Sequence, residues 1–266
     1  MHIIRTIPII LAISLIGCQP AIDEPSGTHD AVETPAPLDA LDRGIAAHGG
    51  LDRWRSFGSL SFDLERSDRT EHHLIDLQSR KVLVTCDEFT IGYDGQDVWI
   101  TPGMDAYAGS PRFYSSLQFY FFGLPFLLAD PGTIREEMGT VSVDETTYDV
   151  VKVGYEEGIG DSPDDYYVAH FDSATGMLDF VLYTVTYNSR EPNERYSARV
   201  FEWTEVQGLM VPSTISSYRW NNEEARLGEH RASYDLSNIT FSPDRPDASL
   251  FAMPAEAEVD PLPADL

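Results

Sequence analysis

Lysine is almost absent from this chain: Lys81 and Lys152 are the only two in 266 residues. Arginine supplies the other basic groups, and 44 acidic residues against 18 basic ones leave a formal charge of -26. A surface so poor in positive charge repels nucleic acid and anionic head groups, so a phosphate-binding role is not expected. Cysteine is scarce as well, with two residues, Cys18 and Cys86. Cys18 ends an export-like segment, and Cys86 is the one cysteine beyond it. Within Lys81–Cys86, Cys86 reads as a packed strand residue. Catalytic signatures are missing too. The sequence has no Gly-x-Ser-x-Gly, no glycine-rich phosphate loop and no His-Glu-x-x-His. No enzyme activity, no cofactor and no metal are therefore expected. Glu71-His72-His73 carries ligand-type residues, but adjacent strand residues face opposite ways and do not share an ion.

The first residues are written for export. Arg5 precedes a short apolar run that closes in Leu15-Ile16-Gly17-Cys18. The run is too brief to span a bilayer as a stable helix. These residues resemble the bacterial lipobox, which implies a signal peptide over 1–17 and a lipid on Cys18. Gln19 follows, where an Asp would imply inner-membrane retention, so an outer-membrane, periplasm-facing anchor is expected, with surface exposure left open. Residues 18–37 are rich in Pro, Asp, Glu, Ser and Thr and read as a flexible tether.

From Leu38 the pattern changes. Leu38, Leu41, Ile45 and His48 are spaced for one helix face, with Asp39 as cap and Gly49-Gly50 as stop. His48 reads as a helix-end histidine bonded to a carbonyl, with a site role as the alternative. Short alternating segments follow from Ser59 to Thr101 and again from Val141 onward, joined by tight turns such as Asp94-Gly95 and Gln207-Gly208. The expected fold is mainly β (α+β): an antiparallel open β-barrel of roughly 11–12 strands, with an N-terminal helix and a broken helical lid. It covers 38–254, and 255–266 is expected to be an acidic tail.

The lid is the aromatic stretch Pro111–Gly132. At helical spacing Phe113, Leu117, Tyr120, Leu124 and Leu128 share one side, and Phe119, Phe122, Phe126 and Leu127 cover much of the rest. A helix apolar nearly all round must be enclosed. Gly123 and Pro125 should split it, and Asp130-Pro131-Gly132 should end it. An ordinary core helix is the alternative reading.

Three pieces resemble the LolA/LolB superfamily of lipoprotein carriers: Tyr93-Asp-Gly-Gln-Asp-Val-Trp99, Gly208-Leu-Met-Val-Pro212 and Leu250-Phe-Ala-Met-Pro254. Ala47–Gly50, Phe122–Gly132 and Gly160–Tyr167 are similar to an uncharacterised family of bacterial outer-membrane lipoproteins within that superfamily. The resemblance implies an incomplete barrel around a helical lid, with a cavity able to hold acyl chains. No residue-by-residue match to acyl-handling residues exists, so lipoprotein transfer itself is not carried over.

Three functions stay open on the residues. The first is a monomeric, membrane-anchored lipoprotein that binds a hydrophobic ligand through Phe113, Phe119, Tyr120, Phe122, Leu124 and Phe126, with Trp99 on the sheet side. The second is an envelope scaffold whose barrel is filled by its own side chains. The third is a hydrolase using Asp164 or Asp165 near His170.

Overall fold

The computed structural model describes residues 39–156, 164–187 and 196–262. The export segment, Cys18, the tether and residues 160–163 of Gly160–Tyr167 lie outside the described residues. Two short helices come first, α1 (Ala40–Ala47) and α2 (Leu51–Arg55). Asp39 caps α1 by accepting from the Asp42 amide at 2.7 Å. Gly49 and Gly50 then take φ of 105° and 89°, which glycine adopts without a Cβ penalty.

Five strands follow: β1 (Ser59–Glu65), β2 (Thr70–Asp76), β3 (Val82–Thr85), β4 (Thr90–Tyr93) and β5 (Val98–Thr101). Next come α3 (Pro111–Phe122) and a 3-10 turn over Phe126–Ala129. The remaining strands are β6 (Thr133–Val143), β7 (Thr146–Tyr155), β8 (Tyr167–Asp172), β9 (Leu178–Tyr183), β10 (Ser197–Val206), β11 (Leu209–Asn221), β12 (Arg226–Ser242) and β13 (Glu258–Asp260). All are antiparallel neighbours in one 13-stranded sheet, ordered β13-β5-β4-β3-β2-β1-β12-β11-β10-β9-β8-β7-β6. The sheet is open, with β13 and β6 as its edges.

This order dictates where the aromatic stretch must go. β5 lies beside one edge and β6 is the other, so the chain between them has to traverse the width of the sheet. It does so across one face, as α3 and the 3-10 turn. α3 stops at Phe122 and the turn resumes at Phe126, so the break falls at Gly123–Pro125 as the sequence predicts. Contacts reach both arms of the sheet. Phe122 stacks on Phe62 of β1 at 4.7 Å, and Phe121 meets Tyr183 of β9 edge-on at 5.0 Å. Phe126 stacks on Trp54 of α2 at 4.8 Å. The sheet therefore curves round this segment and encloses it.

Three segments depart from the sequence expectation. β6 begins at Thr133 rather than Val141, because an edge strand exposed on both faces carries no alternating apolar signal. β12 likewise starts early, at Arg226. Leu250–Pro254 is not a closing strand: Ala248–Phe251 forms a 3-10 turn that buries Phe251, and the last strand is Glu258–Asp260, paired with β5 inside the expected tail.

Phe122 is 1% exposed and Ile134 on β6 is 55% exposed. Phe122→Ala should cost about 3–5 kcal/mol of stability. Ile134→Ser should change it by no more than about 0.5 kcal/mol. Equilibrium urea unfolding of both variants checks the contrast.

Candidate functional site

Ser110 and Pro111 start α3 as their residue types dictate. Ser110 Oγ accepts from the Phe113 amide at 3.2 Å, and Pro111 brings no amide that would need a partner. Asp260 of β13 joins them. Its Oδ2 accepts from the Arg112 amide at 2.8 Å and from the Ser110 hydroxyl at 2.7 Å, which sets a carboxylate at the positive end of the helix. One turn on, the Tyr114 hydroxyl donates to Glu71 of β2. Glu71 is fully buried and also accepts from Arg69 Nε at 2.7 Å. Arg66 donates to the Tyr114 hydroxyl at 3.0 Å. Burial alone would raise the Glu71 carboxyl, but its contacts with His73, Tyr114 and Arg66 hold it below the usual glutamate value. The front of α3 is thus fastened at two places, by β13 and by β2.

A cavity of about 430 Å³ opens along one side of α3. That size lies within the range of small-molecule sites, about 300–1,000 Å³. Phe113, Leu117, Phe119 and Tyr120 form the helix wall. Tyr93 and Val98 come from β4 and β5, and Tyr155, Tyr167 and Tyr187 from the far arm. The Tyr120 and Tyr155 hydroxyls are hydrogen-bonded to each other, and the Tyr120 and Tyr167 rings lie 4.9 Å apart. Burial pushes Tyr155 up to about 12 and raises Tyr120 and Tyr167 too, so these phenols are neutral at physiological pH. The ionisable part of the lining is Arg80, Arg112, Asp130 and Asp165. Arg80 donates to Asp130 at 2.7 Å. Asp165 accepts from the Thr184 hydroxyl at 3.0 Å and the Thr186 amide at 2.8 Å. Burial raises both carboxyls above their ordinary range. The chamber is lined mainly by aromatic and apolar side chains, with these four ionisable groups among them.

The residues expected to bind ligand divide between this chamber and the packed interior. Phe113, Phe119 and Tyr120 line the chamber. Phe122, Leu124 and Phe126 lie in the core, each no more than 1% exposed. Trp99 sits on the other face of β5 from Val98 and Ile100. Its ring covers Gly92, where an added Cβ would meet Trp99 Cζ2 at 2.2 Å, and its Nε1 donates to the Phe251 carbonyl at 3.1 Å. Tyr155 and Tyr167 were readable by parity, since Tyr155 follows Val151 and Val153, and Tyr167 precedes Ala169 and Phe171, on the inward face. Arg80 and Asp130 carry no such signal.

Asp164 and Asp165 do not meet His170. Asp165 faces the chamber, whereas the His170 ring stacks on Phe180 at 4.1 Å in a separate cluster on the opposite face. His72 pairs with Asp63 at 2.7 Å on the surface while His73 is buried, the alternation a strand imposes. Among the described residues, no group of three or more His, Cys, Asp or Glu could hold a metal. His48 bonds the Gly44 carbonyl through Nδ1 at 2.7 Å and packs edge-on to Trp203.

Burial lowers both His48 and His170 to about 4. Below pH ~6.5 the unfolded chain protonates each ring, and the folded chain refuses the proton until far lower pH. Stability present at pH 7 should therefore fall as pH drops from ~6.5 towards ~4, by on the order of 3 kcal/mol per ring. Urea midpoints across that window should show the loss, and His170→Phe should remove about one ring's share of it while the His48 share stays.

Residues 107–206 match a family of unknown function, DUF6503. No curated protein matches the chain. Among solved structures it is similar to a DUF1329 family protein from Desulfovibrio piger, with 15% identity, 81% of this chain and 100% of that chain covered, and a TM-score of 0.46. It is also similar to a LolA superfamily protein from Nitrosomonas europaea, with 12% identity, 73% and 88% coverage, and a TM-score of 0.45. At these TM-scores neither likeness bears on what this chain binds.

Proposed function

We propose that this chain is a lipid-anchored envelope protein that binds one hydrophobic or amphipathic small molecule in the chamber beside α3. The observation that carries this reading is the chamber itself, lined mainly by apolar and aromatic side chains with ionisable groups among them. Burial of apolar ligand surface would supply the affinity, at about 0.8 kcal/mol per methylene. The neutral tyrosine hydroxyls and the Arg80–Asp130 pair would orient the polar end of the ligand. Cys18 in its lipobox setting supports the anchor, and residues 18–37 support a tether long enough to hold the domain off the bilayer. The charge of -26 argues against nucleic acid as a partner.

A scaffold reading draws on the complete enclosure of Phe122, Leu124 and Phe126, which fill the sheet's interior with the chain's own atoms. The two readings separate at Leu117, which is half-buried and lines the chamber. Titration of the delipidated full chain with a fluorescent fatty acid should saturate. Leu117→Trp, which fills the space, should weaken binding about tenfold or more, a loss of about 1.4 kcal/mol. Saturable binding that ignores Leu117→Trp would move the ligand elsewhere, and no saturation at all would leave the scaffold.

A further inference from the structure

Strands β7–β10 carry apolar residues on both faces, and only one of those faces belongs to the main core with the helices. β9 shows how this arises. Leu178, Val181 and Tyr183 belong to the main core, while Phe180 and Leu182 belong to a second cluster on the opposite face. Strict alternation would put Leu178 and Phe180 together. A β-bulge separates them: His170 pairs with Phe180 and Phe171 with Leu178, which leaves Asp179 as the extra residue. Bulges re-aim side chains and are enriched next to functional sites. Here the bulge turns the Asp179 carboxylate to the outer face beside the Phe180 ring.

The two border a cavity of about 300 Å³, distinct from the chamber beside α3. Tyr148, Phe180 and Trp220 make its aromatic wall. Tyr148 meets Phe180 edge-on at 5.2 Å, and Trp220 lies nearly parallel to Phe180 at 5.8 Å. Trp220 is brought there by the long β11–β12 hairpin, where it pairs with Leu227. The Tyr148 hydroxyl donates to Asp179 Oδ2 at 3.1 Å, which fixes the carboxylate against the wall. Asp144, from the β6–β7 turn, lines the same space. Arg226 lines it too, but its guanidinium is bound to Glu224 at 2.6 Å.

We propose that this outer cavity binds an organic cation, an ammonium group carried on an apolar stem. Aromatic rings attract such a group through their quadrupoles, and an adjacent carboxylate adds direct charge attraction. The strongly acidic chain enriches cations at its surface. A trimethylammonium head and a primary amine, of a lipid or a lysine side chain, share this chemistry.

Calorimetric titration of the full chain with choline and with n-butylammonium tests the proposal, with glucose and butyrate as controls. At least one of the two cations should saturate a single site, and the stronger identifies the head group. Asp179→Asn, which keeps the side-chain shape, should weaken that cation about tenfold or more. Fatty-acid binding at the other chamber should be unchanged in this variant, which also shows that the variant is folded. Trp220→Leu should weaken the cation similarly. Failure of both cations to saturate, saturation by glucose instead, or indifference to Asp179→Asn in folded protein would overturn the proposal.

Discussion

After β5 the chain has to reach the far edge of its own sheet, and it passes through the interior to do so. A segment on that route is surrounded by side chains from both arms, so it must be apolar on nearly every side. Its backbone groups must be satisfied internally, which a helix and a tight turn achieve. The aromatic content of residues 113–128 answers this demand. Phe62, Trp54 and Tyr183, from β1, α2 and β9, all find partners on this one segment. The sheet's curvature, the position of α2 and the chamber beside α3 follow from it. Phe122, Leu124 and Phe126 are packed into the core, and the chamber is bordered by the segment's remaining residues, Phe113 to Tyr120 with Leu127 and Asp130.

The front of α3 is held by polar groups rather than by packing. Asp260 grips the start of α3 from the last strand, and Glu71 grips Tyr114 from the second. A buried carboxylate ringed by two arginines and a tyrosine is costly to desolvate, so its worth lies in fixing one position for the helix more than in net stability. The chamber inherits this definition: its helix wall, Phe113 to Tyr120, runs on from these two fastened points.

Most of the architecture was legible because strand periodicity and turn residues are local signals. The hairpin at Asp94-Gly95, the cap at Asp39 and the break at Gly123–Pro125 are each written in a few adjacent residues. β6 was read short because its residues face water on both sides, and β13 because three residues cannot show a period. The site was only partly legible. Aromatic spacing identifies Phe113, Phe119 and Tyr120 as members of a greasy helix, but the same spacing covers Phe122 and Phe126, and nothing local separates the wall of a cavity from the floor of a core. Arg80 and Asp130 meet across 50 positions of sequence. The bulge at Asp179 is invisible in the sequence because Leu178, Phe180 and Leu182 read as a regular alternation.

The middle of the sheet is a seam between the first strand and the twelfth, where Ser59 pairs with Ser242 and Glu65 with Asp235. Hairpins on either side can form from neighbouring residues, but this junction needs a loop closed over most of the domain. Contacts so distant along the chain slow folding. A nascent polypeptide would therefore keep β1 unprotected along one side until the region around residue 242 has been made.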